Sequence, residues 1–225
     1  MFVRLRADGV WQDVHTRLLA QAQHTGKLSW EVSVDSTTSL GHVHAAGARN
    51  DSATRHSGEP AHHGFGRSRG GWSTKIHVGV NADCGVMSLV ITPGQAGDGP
   101  QMVPVLEKIR VPSARRGRPR RRPDRVLADK AYSSRANRKY LRSRGIKATI
   151  SQPRDQVAHR RRRGSAGGRP PAFDTVAYRR RNAVERGINR IKQHRGCATR
   201  FDKLAVHFEA TVQLAVIRYW LKRLS

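Results

Sequence analysis

Three acids stand where a divalent cation could be held. Asp35 closes a segment in which Trp30, Val32 and Val34 alternate with Glu31, Ser33 and Asp35, the period-two pattern of a strand. Asp129 ends a second short apolar run, Arg125-Val126-Leu127-Ala128. Aspartates at the carboxyl ends of strands in a mixed α/β sheet converge where such sheets place their sites. Carboxylate oxygens suit hard ions such as magnesium. Phosphodiester cleavage commonly uses two such ions about 4 Å apart, one at the attacking oxygen and one at the leaving oxygen. Clamping both calls for a third carboxylate. Glu185 can supply it, as the sole acid between Asp174 and Asp202, on a predicted helix over 175–193. On that helix Tyr178, Arg181, Glu185 and Lys192 are three, four and seven residues apart, so a phenol, a guanidinium, a carboxylate and an ammonium share one stripe.

The elements that must position these residues can be read from periodicity. Val10, Trp11, Val14, Leu18 and Leu19 have helical spacing, which predicts the end of a helical unit over 2–19. After the strand that ends at Asp35, residues 36–71 turn to Gly, His, Ala, Ser and Arg, which predicts a long mobile loop. Thr74, Ile76, Val78 and Val80 alternate, the 81–85 segment carries turn residues, and 86–91 is apolar, so a hairpin is expected there. Met102, Val105, Leu106 and Ile109 mark a helix. A Pro/Arg-rich connector over 111–123 leads to the strand before Asp129. A helix over 133–144 and a strand over 146–150 follow. Residues 154–171 are so basic and so poor in apolar side chains that a linker, unable to order itself alone, is expected. Two helices, 175–193 and 204–224, end the chain, the second covering the sheet with Leu204, Val212, Ala215, Val216, Tyr219 and Trp220.

Composition narrows the partners. The 225 residues carry 43 Lys and Arg against 16 Asp and Glu, a formal charge of +27, and a chain so charged repels itself unless a polyanion is bound. Arginine runs at 160–163 and 179–181 could release counterions from a phosphate backbone, giving salt-dependent, largely sequence-independent affinity. Cys84 and Cys197 have neither zinc-finger nor disulfide spacing. With no apolar run of membrane-span length and no apolar signal core, a cytoplasmic protein is expected, with no membrane partner.

Three segments carry a family resemblance. Val34-Asp35-Ser36-Thr37, Val126-Leu127-Ala128-Asp129-Lys130-Ala131-Tyr132, and Tyr178, Arg181, Glu185 and Lys192 at their spacing resemble the signature blocks of bacterial insertion-sequence DDE transposases of the IS-four/IS-five grouping. The 42–48 and 70–77 stretches also resemble that grouping, and the likeness runs from about Trp30 to the C-terminus. It implies a ribonuclease-H-like α/β fold, a mixed sheet flanked by helices. It also implies metal ligation of two Mg2+ or Mn2+ ions by Asp35, Asp129 and Glu185, with DNA contacts from Arg181 and Lys192. Tyr178, Lys130, Trp72 and Lys75 join the expected DNA contacts, Trp72 as a base-stacking ring. The implied function is cleavage of mobile-element ends and strand transfer into target DNA. The implied partners are double-stranded DNA, both element ends and target, and a second copy of the chain in a homodimer on DNA, with a nucleoid-associated location in a bacterium.

The family usually carries a helical DNA-binding region ahead of the catalytic core, and here about thirty residues precede the first strand. Residues 1–29 are therefore expected to be a remnant of that region and 30–225 the catalytic domain, with long basic loops at 36–71 and 154–174. The chain is then a downstream frame or a fragment, and an upstream-frame partner is expected. Plainer readings compete. A lone strand-end aspartate most often caps a turn or helix, and an i,i+4 pair such as Arg181 and Glu185 is ordinary surface pairing. The three acids taken together favour chemistry. His42, His44, His62 and His63 have no cysteine or acid near them at zinc-ligand spacing, so solvent or DNA contact is expected of them. A catalytically inert DNA-binding remnant and a structure-selective nuclease of the same fold are the alternatives.

Overall fold

The computed structural model describes residues 1–47, 58–113 and 117–225. In chain order the helices and strands are α1 (Phe2–Ala7), α2 (Val10–His24), β1 (Glu31–Gly41), α3 (Val43–Ala46), β2 (Gly66–Ser68), β3 (Gly71–Asn81), β4 (Val86–Pro93), α4 (Asp98–Glu107), β5 (Arg125–Ala128), α5 (Arg135–Ser143), β6 (Lys147–Ile150), α6 (Arg154–Arg162), α7 (Thr175–Arg179), α8 (Asn182–Lys192), α9 (Arg195–Ala198), β7 (Thr199–Arg200) and α10 (Ala205–Leu224). The main sheet runs β4-β3-β1-β5-β6. Its β4-β3-β1 half is antiparallel, and β5 and β6 continue it in parallel. The short strands β2 and β7 add to β3 and β1 respectively. This mixed sheet flanked by helices is the α/β architecture expected from the sequence.

Both faces of the sheet are covered, so β1 buries Val32, Ser33 and Val34 in succession rather than alternating with solvent. Val105 of α4 packs on the face carrying Gly79. On the opposite face α8 lies against Val80, so closely that a side chain at Gly187 would come within 3.0 Å of Val80 Cγ1. Gly187 is therefore required where helix meets sheet. Strand register assigns the acids to faces. Val34 pairs with Ala128 between β1 and β5, so Asp35 and Asp129, the residue that leaves β5, come next to each other where adjacent strands lie about 4.8 Å apart. Asp35 also pairs with Val78, two residues from Val80, and so belongs to the face covered by α8.

The structure departs from the sequence reading in three places. β1 does not end at Asp35 but continues to Gly41. Its Ser36-Thr37-Thr38-Ser39 stretch lacks apolar alternation, yet it pairs with β3 through Leu40, and Ser39 Oγ donates to the Cys197 carbonyl at 2.6 Å. Of the expected loop over 36–71, residues 48–57 lie outside the described residues, as do 114–116 of the connector. Residues 154–162 form α6, whose side chains are not buried. Polar ties hold it instead, with Gln156 Nε2 donating to the Ser133 carbonyl at 2.8 Å and Arg160 to Gln152 Oε1 at 3.1 Å. Finally, the helix over 175–193 is two helices. At their junction the Arg180, Arg181, Ala183 and Val184 amides bond to carbonyls three residues back, a tightening that separates Tyr178 from Glu185.

The second N-terminal helix is built into the core. Leu18, Leu19 and Ala22 of α2 are buried, and α2 packs along α10. The Val86 carbonyl accepts from both helices, from His15 Nε2 at 3.0 Å and from Trp220 Nε1 at 2.8 Å. Burial pushes the His15 pKa down to about 4, against a smaller upward pull from that carbonyl. The unfolded chain takes up this proton near pH 6.5 and the native state only near 4, so stability is full above 6.5 and is lost as pH falls toward 4. A drop on the order of 2–3 kcal/mol is expected between pH 7 and 4.5 from this residue, or roughly 5–10 °C in Tm. Thermal melts at the two pH values test this, and His15→Gln removes that part of the slope.

Candidate active site

Asp35 sits mid-strand in β1, held by its neighbours. Its Oδ1 accepts from the Ser36 amide at 2.8 Å and its Oδ2 from Arg181 Nη1 at 2.8 Å. Desolvation raises its pKa above the usual carboxylate range and Asp129 adds to the rise, while the Ser36 amide and Arg181 pull the other way. Asp129 leaves β5 in an extended conformation and caps the 3-10 turn over 130–132, its Oδ1 accepting from the Ala131 amide at 2.9 Å. The capping role of a strand-end aspartate is thus real here, and one carboxylate oxygen remains beyond the cap. Glu185 comes in from the first turn of α8. The same Arg181 guanidinium that holds Asp35 donates through Nη2 to Glu185 Oε1 at 2.6 Å. Burial works against the Arg181 charge, but Asp35, Tyr178 and Glu185 outweigh it and raise its pKa.

Two acids therefore stand side by side on adjacent strands, and the third is joined to them through a cation. Among the described residues no three His, Cys, Asp or Glu side chains converge on one point at metal-holding distance. Arg181 lies between Asp35 and Glu185. The donors are all oxygen, as a hard divalent ion requires. Beneath them the Tyr132 hydroxyl is buried beside Ser36, without hydrogen-bond geometry to any partner. Burial first, then Asp35, Asp98 and Asp129, push its pKa up. The adjacent Ser36 hydroxyl pulls the other way, and this buried hydroxyl lies among the carboxylates rather than in an apolar setting.

Asp98, a fourth acid, was not singled out by the sequence. It opens α4, and its Oδ1 accepts from Ser36 Oγ at 2.8 Å and Lys75 Nζ at 2.9 Å. Although burial works against its charge, Lys75 and Ser36 lower its pKa. The available signal was an acid in the first turn of a helix that follows the hairpin, in a chain with only 16 acids.

The remaining expected DNA contacts fall into two groups. Lys75 is tied to Asp98 and to the Ala96 carbonyl, Lys192 donates to the Thr38 carbonyl at 3.0 Å, and the Tyr178 hydroxyl meets Ser151 Oγ at 3.3 Å. These three fasten α4, α8 and α7 around β1 and its neighbours. Lys130 and Trp72 are exposed, with the Arg67 guanidinium 5.5 Å from the Trp72 ring centre. Beside Ser133, four residues beyond Asp129, a groove of about 1040 Å³ is walled by Arg135, Lys139, Arg142, Arg160 and Arg169.

A family profile described as Transposase DDE domain matches residues 27–220. The chain belongs to that family. Over 150 residues it is 29% identical to the protein ascribed as transposase to insertion sequence element IS6501 of Brucella ovis, a match spanning 67% of this chain and 99% of that one. It is 32% identical over 83 residues to the protein ascribed to insertion sequence element IS402 of Burkholderia cepacia, spanning 37% of this chain and 39% of the other. Among solved structures it is similar to the catalytic domain of Mos1 mariner transposase at 11% identity and a TM-score of 0.33, over 94% of this chain and 89% of that one. That likeness is too distant to bear on the site. The range of the DDE profile takes in Asp35, Asp129 and Glu185, and the family generally uses divalent metals. No helix among the described residues is long and apolar enough to cross a membrane.

Proposed function

We propose that this DDE-family chain cuts DNA at the ends of a mobile element and joins those ends to target DNA, with Asp35, Asp129 and Glu185 as the ligands of two magnesium or manganese ions. The observation that carries this reading is the register match that sets Asp35 and Asp129 side by side, with Glu185 linked to Asp35 through Arg181. Bound divalent ions supply activation of the attacking oxygen and charge stabilisation at phosphorus. The residues of the chain do the rest. Asp35 and Asp129 offer carboxylates from a rigid sheet. Glu185 and Arg181 come from the tightened junction between α7 and α8, the joint best able to adjust. Once released from Asp35 and Glu185, the Arg181 guanidinium is placed to pair two-pronged with a phosphate. The basic groove beside Ser133 leads the strand toward Asp129 by backbone contacts that read no bases. Hydrolysis at the element end and attack by the freed 3′ hydroxyl each displace an alkoxide from phosphorus, so one site serves both steps.

Two copies of the chain acting together on paired ends complete the proposal. The test is an assay with magnesium or manganese on a plasmid carrying the element's own inverted repeats. Joined products are the expected result. Cleavage without joining points to a nuclease, and retained DNA without products points to an inert binder; either result rejects the strand-transfer reading.

A further inference from the structure

Helix α8 has a second working face. At about 100° per residue, Arg190 lies on the side of the helix away from Glu185, and His194 follows two residues past its end, before α9. On α10, Arg218, Tyr219, Lys222 and Arg223 are set three, four and five residues on from Ala215 or one another, in one stripe. The two rows face each other across a cleft of about 550 Å³ floored by Cys84 and Val86. Four cations and a histidine thus share one concavity.

The cleft is partly fixed in place. The Tyr219 hydroxyl donates to the Asp83 carbonyl at 2.7 Å, and the Arg190 guanidinium lies 5.0 Å from the Tyr219 ring centre, a cation stacked on an anchored ring. Arg223 pairs with Asp83 at 3.3 Å. Arg190, Arg218 and Lys222 are exposed, and among the described residues none of them has an ion-pair partner. Burial lowers the His194 pKa, and Arg218 and Lys222 lower it further, so their field reaches into the cleft. The dipole of α10 accounts for some of this, since cations are favoured at a helix C-terminus. It does not account for Arg190, which comes from α8, or for His194, which follows that helix. Concave walls of one sign concentrate the potential toward a polyanion.

We propose that this cleft binds the phosphodiester backbone of a second DNA segment, about one helix width from the carboxylates. The binding itself is independent of the catalytic reading. Its role rests on that reading, because strand transfer needs a cut end and a target held close together.

The test measures affinity for a fluorescent 30-base-pair duplex by anisotropy across a salt series. Each phosphate contact contributes about 0.9 to the slope of log affinity against log salt. Arg218→Ala combined with Lys222→Ala is expected to lower that slope by roughly 2, equally for unrelated sequences, with circular dichroism and Tm unchanged. Arg118→Ala combined with Arg121→Ala, exposed cations outside the cleft, serves as the control for bulk charge. An unchanged slope in the cleft variant overturns the proposal, and so does an equal loss in the control. Millimolar pyrophosphate, followed by titration calorimetry, separates the other source of the same chemistry: tight pyrophosphate binding lost in the cleft variant, with the DNA slope intact, assigns the cleft to a free anion and overturns the DNA proposal. Slope loss in the cleft variant, together with a wild type that cleaves nothing, rejects the catalytic reading and leaves the cleft standing.

Discussion

Asp129→Asn is expected to slow phosphodiester cleavage by roughly 1000-fold or more, a loss of about 4 kcal/mol in transition-state stabilisation. Asparagine separates two roles that alanine would remove together. The Asp129 Oδ1 that accepts from the Ala131 amide is matched by an amide oxygen, so the cap over 130–132 survives. What is lost is the negative charge beside Asp35 and a strong anionic oxygen for a hard cation. Asp35 keeps Arg181 as its partner, so no buried charge is left alone. DNA affinity and Tm should therefore match the wild type within error while single-turnover cleavage collapses. A rate within tenfold of wild type, measured at saturating magnesium, would remove Asp129 from the site. Asp35→Asn is a less clean substitution, because it also takes from Arg181 one of its two carboxylates.

The largest effect on stability is expected at Arg200, which no reading of the sequence distinguishes from the other arginines. It is fully buried. Its guanidinium donates to the Asp202, His63 and Lys203 carbonyls at 2.8, 2.8 and 2.9 Å and to Thr74 Oγ1 at 2.6 Å. It also stacks 3.7 Å from the centre of the Phe65 ring. Burial lowers its pKa to about 10, with Glu59 and Asp202 pulling the other way. Glu59 in turn accepts from the Ala205 and Val206 amides at 2.7 and 3.0 Å, closing the N-terminus of α10. Arg200 thus joins β7, β3 and the start of α10. Arg200→Met leaves several buried acceptors without donors, each costing about 1–3 kcal/mol before relaxation. A net loss of about 3–5 kcal/mol is expected, or roughly 10–15 °C in Tm. Arg200→Lys recovers little, because a single ammonium cannot span the fork of acceptors. A change under about 2 °C in either variant would show that the network is not a stabilising one.

The order of β1, β3, β4, α4, β5, α5 and β6 was legible because each of these elements buries an apolar face, whereas α3 and β2 lie in the stretch read as a loop. Val32, Val78, Met102 and Leu127 are spaced as their elements require, and each is buried. Elements held by polar contacts were not legible. The second half of β1 is stitched by hydroxyls, and α6 is docked through glutamines, so hydropathy assigned both to loops. Asp35, Asp129 and Glu185 stood out as strand-end or isolated acids. Asp98 did not, because its significance lies in Ser36 and Lys75, which are 62 and 23 residues away. The break at Arg180 and Arg181 was hidden for a related reason. Both residues keep right-handed helical angles, so only the bonding pattern marks the joint.

Glu185 follows Asp35 by about 150 residues, and the helix that carries it needs α10 at its back. A ribosome adding roughly 5–20 residues per second would release the first acid some 7–30 s before the last. Until the closing helix emerges, a nascent chain can hold the sheet and its basic grooves but not the full trio of acids. A product of translation that stops before α10 therefore lacks the support on which the third acid is mounted.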